Sequence, residues 1–472
     1  MRGKTLGNIF SAQSCLRCGS SAAWVLGLIL LFLSSGCSGL TRSVQTAPAV
    51  DIPVAWEAKS GTSGSAVASG DRWWQGFNDP LLSALVEQAL KENNDLAAAA
   101  IRVRRAKLQS ELTATNRTPG VSVGGNTTIN RERHGASGTS HAATATLSYE
   151  LDLWGKLESA RDAANFEAQA TEYDRHSVAL ALIGTTAQSY WQTGYLQQLK
   201  DLTDKSIAYT GKSLALAEAK YGAGAVSAID VTQARQALAS QRADRTEIVR
   251  QLCEARNALA ILFNRAPQSG TTMPTALPDI VPPPVEAGLP AEILGRRPDL
   301  RAAGERLKGY LAEVDYTKAS YYPAFTLTGS LGGSSTSLIE VLSNPVAALG
   351  VGVTLPFVQQ RTMRLDVKIS ETQYEEAVVN FRQALYTALG EVENALSAGE
   401  QYEAQQKELE KALANAKDSE RLLEARYRTG LVSVQLWLDA QETRRGVEKQ
   451  LLQNRLNRYK SRMTLSLALG GR

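Results

Sequence analysis

The chain has 472 residues, of which 43% are hydrophobic, 21% charged and 6% aromatic, and this composition excludes a disordered protein. The formal net charge of +4 includes Arg2, Lys4 and Arg17, which lie in a segment expected to be removed, so the mature chain is nearly neutral. No basic block with interleaved aromatic residues occurs, and nucleic-acid binding therefore has no electrostatic support.

The first predicted element is a lipoprotein signal peptide over residues 1–36. Its apolar run, Ala22–Leu33, has the length of a signal-peptide core and is shorter than the ~20 residues that span a bilayer. Small residues then precede a cysteine in SSGC, as in the lipobox of bacterial lipoproteins, although Ser34 stands where leucine is usual. The pattern implies a covalent lipid, such as palmitate, on Cys37. A plain signal peptide with a chance cysteine is the alternative.

The other cysteines indicate no redox chemistry. Cys15 and Cys18 form a C-x-x-C, but they lie in the expected leader. Cys253 has no partner in the mature chain, and we predict that it is a small buried hydrophobic residue.

Proline and repetition divide the rest of the chain. Seven of the 15 prolines fall between residues 266 and 290, which predicts an extended linker over 267–294. An N-terminal segment, 37–94, precedes a first repeat, 95–266, and the linker leads into a second repeat, 295–472. The repeats share two pairs of similar segments: NNDLAAAAIRVRRAKL with RRPDLRAAGERLKGYL, and AEAKYGAGAVSAIDVTQA with LEARYRTGLVSVQLWLDA.

Each repeat is predicted to be mainly helical. A helix of about two dozen residues opens it, at Asp95–Asn116 and at Asp299–Ser320. A very long helix follows later, over Lys156–Lys220 and Arg361–Arg426, and ~66 helical residues make a rod of about 100 Å. A glycine break and a helix of about forty residues complete the repeat. Such rods exclude a compact globule, and a filamentous coiled coil is the simplest alternative.

Four short stretches with period-two alternation argue against that coiled coil. In the clearest, Leu349, Val351 and Val353 alternate with small or polar residues. An apolar face and a polar face on strands of ~9–11 residues are typical of a transmembrane β-barrel. Two strand pairs cannot close a barrel, so three copies giving twelve strands is the simplest solution. Polar loops, 131–142 and 332–344, would face the cell exterior. The four stretches are Val121–Ile129, TATLSYEL, FTLTGSL and Ala348–Phe357.

Taken together, WWQGFNDPLLSALVEQALKENNDL, YELDLWGKLESA, GRRPDLRAA and the doubled glycine break resemble the outer-membrane efflux factor family, the TolC-like proteins, in its NodT-type lipoprotein branch. The resemblance covers essentially all of the mature chain. It implies a mainly α fold with transmembrane β: a trimer whose 12-stranded β-barrel continues into a 12-helix periplasmic α-barrel. An equatorial helix would belong to the N-terminal segment, and the protein would lie in the Gram-negative outer membrane, reaching into the periplasm.

The resemblance also implies site residues. The glycine breaks become turns at the periplasmic tip, which dock an adaptor protein; a glycine that simply ends a helix is the plainer interpretation. Asp230 and Tyr427 match a gate pair that links neighbouring helices. Asp439 matches a carboxylate ring in the lumen, although Leu436 stands where some relatives have a second acid, and a solvated aspartate is the alternative. The docking residues are Gly222, Ala223, Gly224, Thr429, Gly430 and Leu431.

The implied function is that of an exit duct for small molecules such as drugs, toxic compounds or metals. Its partners would be a periplasmic adaptor and an inner-membrane pump of the RND type. Two alternatives stay open: the outer-membrane channel of a type I protein secretion system, and a lipid-anchored periplasmic scaffold without a pore. We predict neither catalysis nor a cofactor nor a metal site, because His134 and His141 in the predicted loop and His176 lack any ligand spacing.

Overall fold

The structure, a computed structural model, describes residues 43, 50–57, 72–131, 138–267, 273–279 and 287–471. These residues form two compact units. The first takes the described residues of Met1–Thr46, Leu108–Phe166 and Lys308–Glu376, and the second takes those of Ala47–Lys107, Glu167–Leu307 and Ala377–Arg472. The predicted signal peptide and the predicted lipid attachment point, Cys37, lie outside the described residues.

Helices dominate the described residues, and the order helix, two strands, long helix, helix occurs twice. The first series follows a helix, α1, and the second follows a single helical turn, α5. Together with the preceding α1, the first series comprises α1 (Pro80–Glu92), α2 (Asn94–Thr115), β1 (Gly120–Asn130), β2 (Gly138–Leu151), α3 (Lys156–Gly222) and α4 (Ala228–Leu262). Together with the preceding α5, the second comprises α5 (Ile293–Arg296), α6 (Pro298–Ala319), β3 (Ala324–Ser335), β4 (Val346–Thr354), α7 (Gln360–Arg428) and α8 (Val434–Ala468).

The long helices have 67 and 69 residues, close to the predicted bounds, whereas α4 and α8 have 35 residues each rather than about forty. Side-chain caps fix several starts: the carboxylate of Asp79 accepts hydrogen bonds from the amides of Leu81 and Leu82 at the beginning of α1. None of the helices in the described part of the chain combines the length and the hydropathy that crossing a membrane requires.

All four predicted strands form, and they pair in one antiparallel sheet of order β1-β2-β3-β4. The register aligns the alternation of every strand. One row across the sheet consists of Val123, Ala145, Leu331 and Ala347, and the row next to it consists of Ser122, Thr146, Ser330 and Ala348. Since successive side chains point to opposite faces, one face of the sheet is apolar and the other small or polar. The apolar face is exposed: Leu349 is 94% accessible.

The hairpin loops are shorter than the predicted 131–142 and 332–344. Strand β2 already begins at Gly138 and β3 ends only at Ser335, because cross-strand backbone pairing continues through polar residues. His141, predicted in a loop, lies in β2, where its Nδ1 is 2.9 Å from Oγ1 of Thr127. His134 lies outside the described residues. The prediction of a buried Cys253 is wrong, because its helix presents this side chain to solvent.

The second unit has an aromatic core next to the connector between the two series. Phe77, Trp191 and Tyr459 pack with ring centroids 5.1 Å apart, and Tyr459 donates a hydrogen bond to the carbonyl of Pro278. The described connector residues 273–279 therefore lie against α3 and α8 rather than free in solvent.

Gly194 of α3 makes this packing possible, and Gly194→Ala is expected to destabilise the protein by about 1–3 kcal/mol. A Cβ there would lie 2.7 Å from the carbonyl oxygen of Ala276, a backbone atom that cannot rotate away. Gly211→Ala in the same helix is the matched control, because a Cβ there meets nothing within 4 Å. It should stabilise by roughly 0.5–1 kcal/mol. Melting curves followed by circular dichroism should move in opposite directions, and equal shifts would contradict the packing argument.

Candidate gate at the paired glycine turns

Two five-residue turns, 223–227 and 429–433, join α3 to α4 and α7 to α8. Both use the same backbone geometry. Gly224 and Gly430 have φ of 70° and 82°, in the left-handed region that favours glycine, and each donates its amide to the carbonyl of a tyrosine three residues earlier. The residues predicted to dock an adaptor are all exposed here: Gly222 at the end of α3, and Ala223, Gly224, Thr429, Gly430 and Leu431 in the turns.

A buried apolar cluster holds the two turns side by side. Tyr427 stacks on Trp437 with ring centroids 5.2 Å apart, and both side chains are at most 2% exposed. Val231 and Ala234 of α4 and Ala217 of α3 complete the contact with Val434 of α8. The sequence repeat thus produces two hairpins that share one small core near their turns.

Asp230 caps two helices at once. Its Oδ2 accepts hydrogen bonds from the amide (3.0 Å) and the hydroxyl (2.8 Å) of Ser227, which closes the start of its own helix α4. Its Oδ1 accepts from the amide of Val434, 3.4 Å away, at the start of α8. The corresponding third position of α8 holds Leu436, which cannot accept, and Ser433 makes no side-chain cap. The carboxylate of α4 therefore also serves α8.

Lys220 provides the opposite charge, and sequence reasoning missed it. Its Nζ donates to the carbonyls of Tyr427 (2.5 Å) and Arg428 (3.3 Å), which end α7, and it lies 4.4 Å from the centroid of the Tyr427 ring. A cation at a helix C-terminus stabilises carbonyls that lack helical partners. The sequence signal that could have identified Lys220 is its position two residues before Gly222, the glycine that ends α3. Lys220 and Asp230, named here the tip clasp, join the first hairpin to both helix ends of the second.

The predicted pair Asp230–Tyr427 lies within this cluster but makes no direct hydrogen bond. The Tyr427 hydroxyl is buried and has no hydrogen-bond partner among the described residues. Burial raises the pKa of Tyr427, and the Asp230 charge raises it further, so the hydroxyl stays protonated and able to donate. Asp230 thus has two possible uses, capping the helices as observed or accepting from Tyr427.

We expect the tip clasp to be insensitive to pH between 8 and 5. Burial raises the pKa of Asp230, but hydrogen bonds from Ser227 and Val434 outweigh burial and leave this pKa below its ordinary value. A carboxyl with a depressed pKa contributes its stability above the unfolded pKa, ~3.9, and loses it as the pH falls through the lower folded value. In planar bilayers, the conductance that the family resemblance implies should stay constant from pH 8 to 5 and change only below about pH 4. A change in conductance with a midpoint between pH 5 and 7 would mean that a group other than Asp230 controls it.

Asp439, the predicted ring carboxylate, lies on the exposed side of α8 and accepts a hydrogen bond of 2.7 Å from Nε2 of Gln435. Leu436, one turn earlier, is 49% exposed, so an apolar side chain stands beside the acid. Among the described residues, no group of three or more His, Cys, Asp or Glu side chains could hold a metal ion.

The sequence profile of the family "Outer membrane efflux protein" matches residues 85–265 and 289–471. The chain is 28% identical to the pyoverdine export outer membrane protein OpmQ of Pseudomonas putida, across 94% of this chain and 97% of OpmQ. It is 30% identical to the toxin and drug export protein A of Aggregatibacter actinomycetemcomitans, across 82% and 85%. The open state of the Neisseria gonorrhoeae MtrE outer membrane channel superposes with a TM-score of 0.80 at 28% identity, across 91% and 98%.

Proposed function

The chain belongs to the outer membrane efflux protein family, and from this membership we propose that it is the exit duct of a tripartite efflux system. The duct exports small molecules, which a periplasmic adaptor and an inner-membrane pump of the RND type deliver. The observation that carries the proposal is that one chain combines a four-stranded sheet with one exposed apolar face and helices that end in paired exposed turns. A periplasmic scaffold without a pore does not require a sheet with an exposed apolar face.

Three copies complete the duct. Strands β1 and β4 each have one edge without a partner strand among the described residues. In lipid, unpaired backbone groups cost several kcal/mol each, so the edges must pair with other copies. Three copies supply twelve strands and, counting α3, α4, α7 and α8 of each chain, twelve helices, which matches the trimeric barrel that the family resemblance implies. The edge argument and family membership support this trimer.

A lipid on Cys37 anchors the same region. Ser43 donates from its amide and its hydroxyl to the carboxylate of Asp315, at 3.0–3.1 Å and 2.6 Å, near the end of α6 that leads into β3. Cys37 precedes Ser43 by six residues, and six extended residues span at most about 20 Å. The anchor can therefore reach a membrane at the level of the strand ends.

The turns dock the adaptor, and the tip clasp together with Asp439 controls opening. Leu431 is 75% exposed at the tip, so an apolar side chain is available there for contact with another protein. Asp230 leaves its caps and accepts from the Tyr427 hydroxyl when the hairpins move. The relative solved as an open channel supports a duct whose tip changes conformation.

Export by a deletion strain carrying plasmid-borne variants tests the proposal. With adaptor and pump coexpressed, the parent chain should restore dye efflux, and Leu431→Glu should abolish it by charging the docking turn. Leu422→Glu is the matched control, because Leu422 is also exposed (55%) but lies within α7. Native mass spectrometry of the purified protein should give three copies. A monomer, or unchanged efflux without the chain, would overturn the proposal; equal loss in both variants would exclude the turn as the docking site.

A further inference from the structure

The first unit contains a cavity of about 810 Å³ at the level where the strands of the sheet end and the helices begin. Its walls are the end of α6 with the residues that lead into β3, the residue Phe357 just after β4, and the first three turns of α7. This volume lies within the range of small-molecule sites, roughly 300–1,000 Å³. The proposed export mechanism makes no use of it.

The cavity is apolar at its centre. Tyr322, Pro323, Phe357, Met363 and Val367 line it, and Met363 and Val367 are half-buried. Phe357 lies in the single 3-10 turn Pro356–Val358 that follows β4, whose residues Leu349, Val351 and Val353 are exposed on the apolar face of the sheet. The cavity therefore adjoins the end of a strand that has an exposed apolar face.

Its rim carries two cations, Arg364 and Lys368, that form no ion pair with an acid among the described residues. Lys318 pairs with Glu371 at 3.0 Å, and the carboxylate of Asp366 accepts a hydrogen bond from Tyr321. These contacts engage Glu371, which lines the cavity, and Asp366 of the same helix. Arg364 and Lys368 remain, and within the described part of the chain neither has an ion-pair or hydrogen-bond partner. Two free cations thus stand at the mouth of an apolar cavity.

The other long helix of the fold shows that this charge is not a general feature of the helix starts. The first turns of α3 also carry charged side chains, but these neutralise each other: Arg161 lies 2.8 Å from Asp162 and 4.0 Å from Glu158. The first three turns of α7 also contain two acids, Asp366 and Glu371, but these contact Tyr321 and Lys318 rather than Arg364 and Lys368. An anion from outside the chain would therefore meet two exposed cations that form no ion pair among the described residues.

We propose that this cavity binds an anionic phospholipid of the outer membrane, with its phosphate between Arg364 and Lys368 and the start of an acyl chain among the apolar side chains. Aromatic residues mark the same level: Trp154 stacks on Tyr322 with ring centroids 5.1 Å apart, and its Nε1 donates to the carbonyl of Pro323. Tryptophan and tyrosine favour the interface between hydrocarbon and water. The lipid would fix the height of the sheet in the membrane.

Trp154 offers a direct measurement, because bromine atoms on an acyl chain quench tryptophan fluorescence at short range. The purified full-length protein is placed in phosphatidylcholine nanodiscs that contain a small fraction of brominated phosphatidylglycerol or brominated phosphatidylcholine. The signal of a Trp154→Phe variant is subtracted to isolate Trp154. Quenching by the anionic lipid should be stronger by roughly fivefold or more, the effect of about two cations near one headgroup.

The double variant Arg364→Gln, Lys368→Gln should lose this preference, while Arg361→Gln, an exposed cation of the same helix that does not line the cavity, should keep it. Equal quenching by both lipids in the parent protein would overturn the proposal, and so would an equal loss in Arg361→Gln. If the lipid gained access only in a Cys37→Ser variant, the protein's own acyl group would be the occupant and the proposal would be wrong. The measurement needs no adaptor or pump, so its outcome is independent of the export test.

Discussion

Arg297→Ala is expected to lower the free energy of unfolding by about 2–3 kcal/mol, the largest single effect we predict on stability. The guanidinium, 11% exposed, bonds to Asp299 of α6 and Glu391 of α7, both at 2.6 Å, and to the carbonyl of Ala468 at the end of α8, at 3.3 Å. One side chain thus joins three helices. Removing it leaves two carboxylates and a carbonyl without their donor, and because both acids are about half exposed, water compensates part of the loss.

Arg296→Ala is the matched control. Arg296 precedes Arg297 in the sequence and forms an ion pair with Glu292, four residues earlier. Both side chains are about one third exposed to solvent, so the pair contributes at most about 1 kcal/mol. Thermal unfolding of the purified protein should show a clear fall in melting temperature for Arg297→Ala and little change for Arg296→Ala. Similar shifts in the two variants would mean that Arg297 is not the joint between the helices.

Asp230→Ala is expected to give the largest change in conductance. It removes the caps of α4 and α8 together, and losing about 1–2 kcal/mol of capping multiplies an open population by roughly 5- to 30-fold. Asp230→Asn should give a smaller increase, because one amide oxygen can serve only one of the two helices. Lys220→Met keeps the apolar stem and loses the bonds to Tyr427 and Arg428, so it should also open the channel.

Planar bilayer recordings of purified protein measure these changes without partners. Arg235→Gln is the control for a lost tip charge, because the Arg235–Glu218 pair is exposed and cross-links α3 and α4 within one hairpin. It should leave conductance unchanged. If Arg235→Gln opened the channel as much as Asp230→Ala, the opening would be explained by the loss of any charge at the tip and not by the tip clasp. Unchanged conductance in both Asp230→Ala and Lys220→Met would remove these residues from the gate.

The sequence predicted the elements well because their signals are local. Alternation of Leu349, Val351 and Val353 requires a strand with two unlike faces, and a proline-free run such as 156–222 allows an uninterrupted helix. The doubled Tyr-to-Ser segments predicted both turns, since only glycine adopts φ of 70–82° at no steric cost. The family followed from motifs of the same local kind.

The partners of single side chains were not predictable in this way. Asp230 was expected to pair with Tyr427, yet in the structure it caps α4 and reaches Val434, 204 positions away along the chain. Lys220 was missed because its acceptors are backbone carbonyls, which every residue has and no sequence pattern marks. Cys253 was misplaced because the face that a long helix buries depends on where its neighbours lie.

Periodicity and turn chemistry, which depend only on residues close in sequence, determined the helices, the four strands, the paired turns and the family of this protein. Tertiary packing alone decided which carboxylate caps which helix, how Arg297 joins three of them, and where Arg364 and Lys368 remain without an ion pair among the described residues. The physical reason is distance: these interactions act over a few ångströms in space, between residues that the chain separates by tens to hundreds of positions.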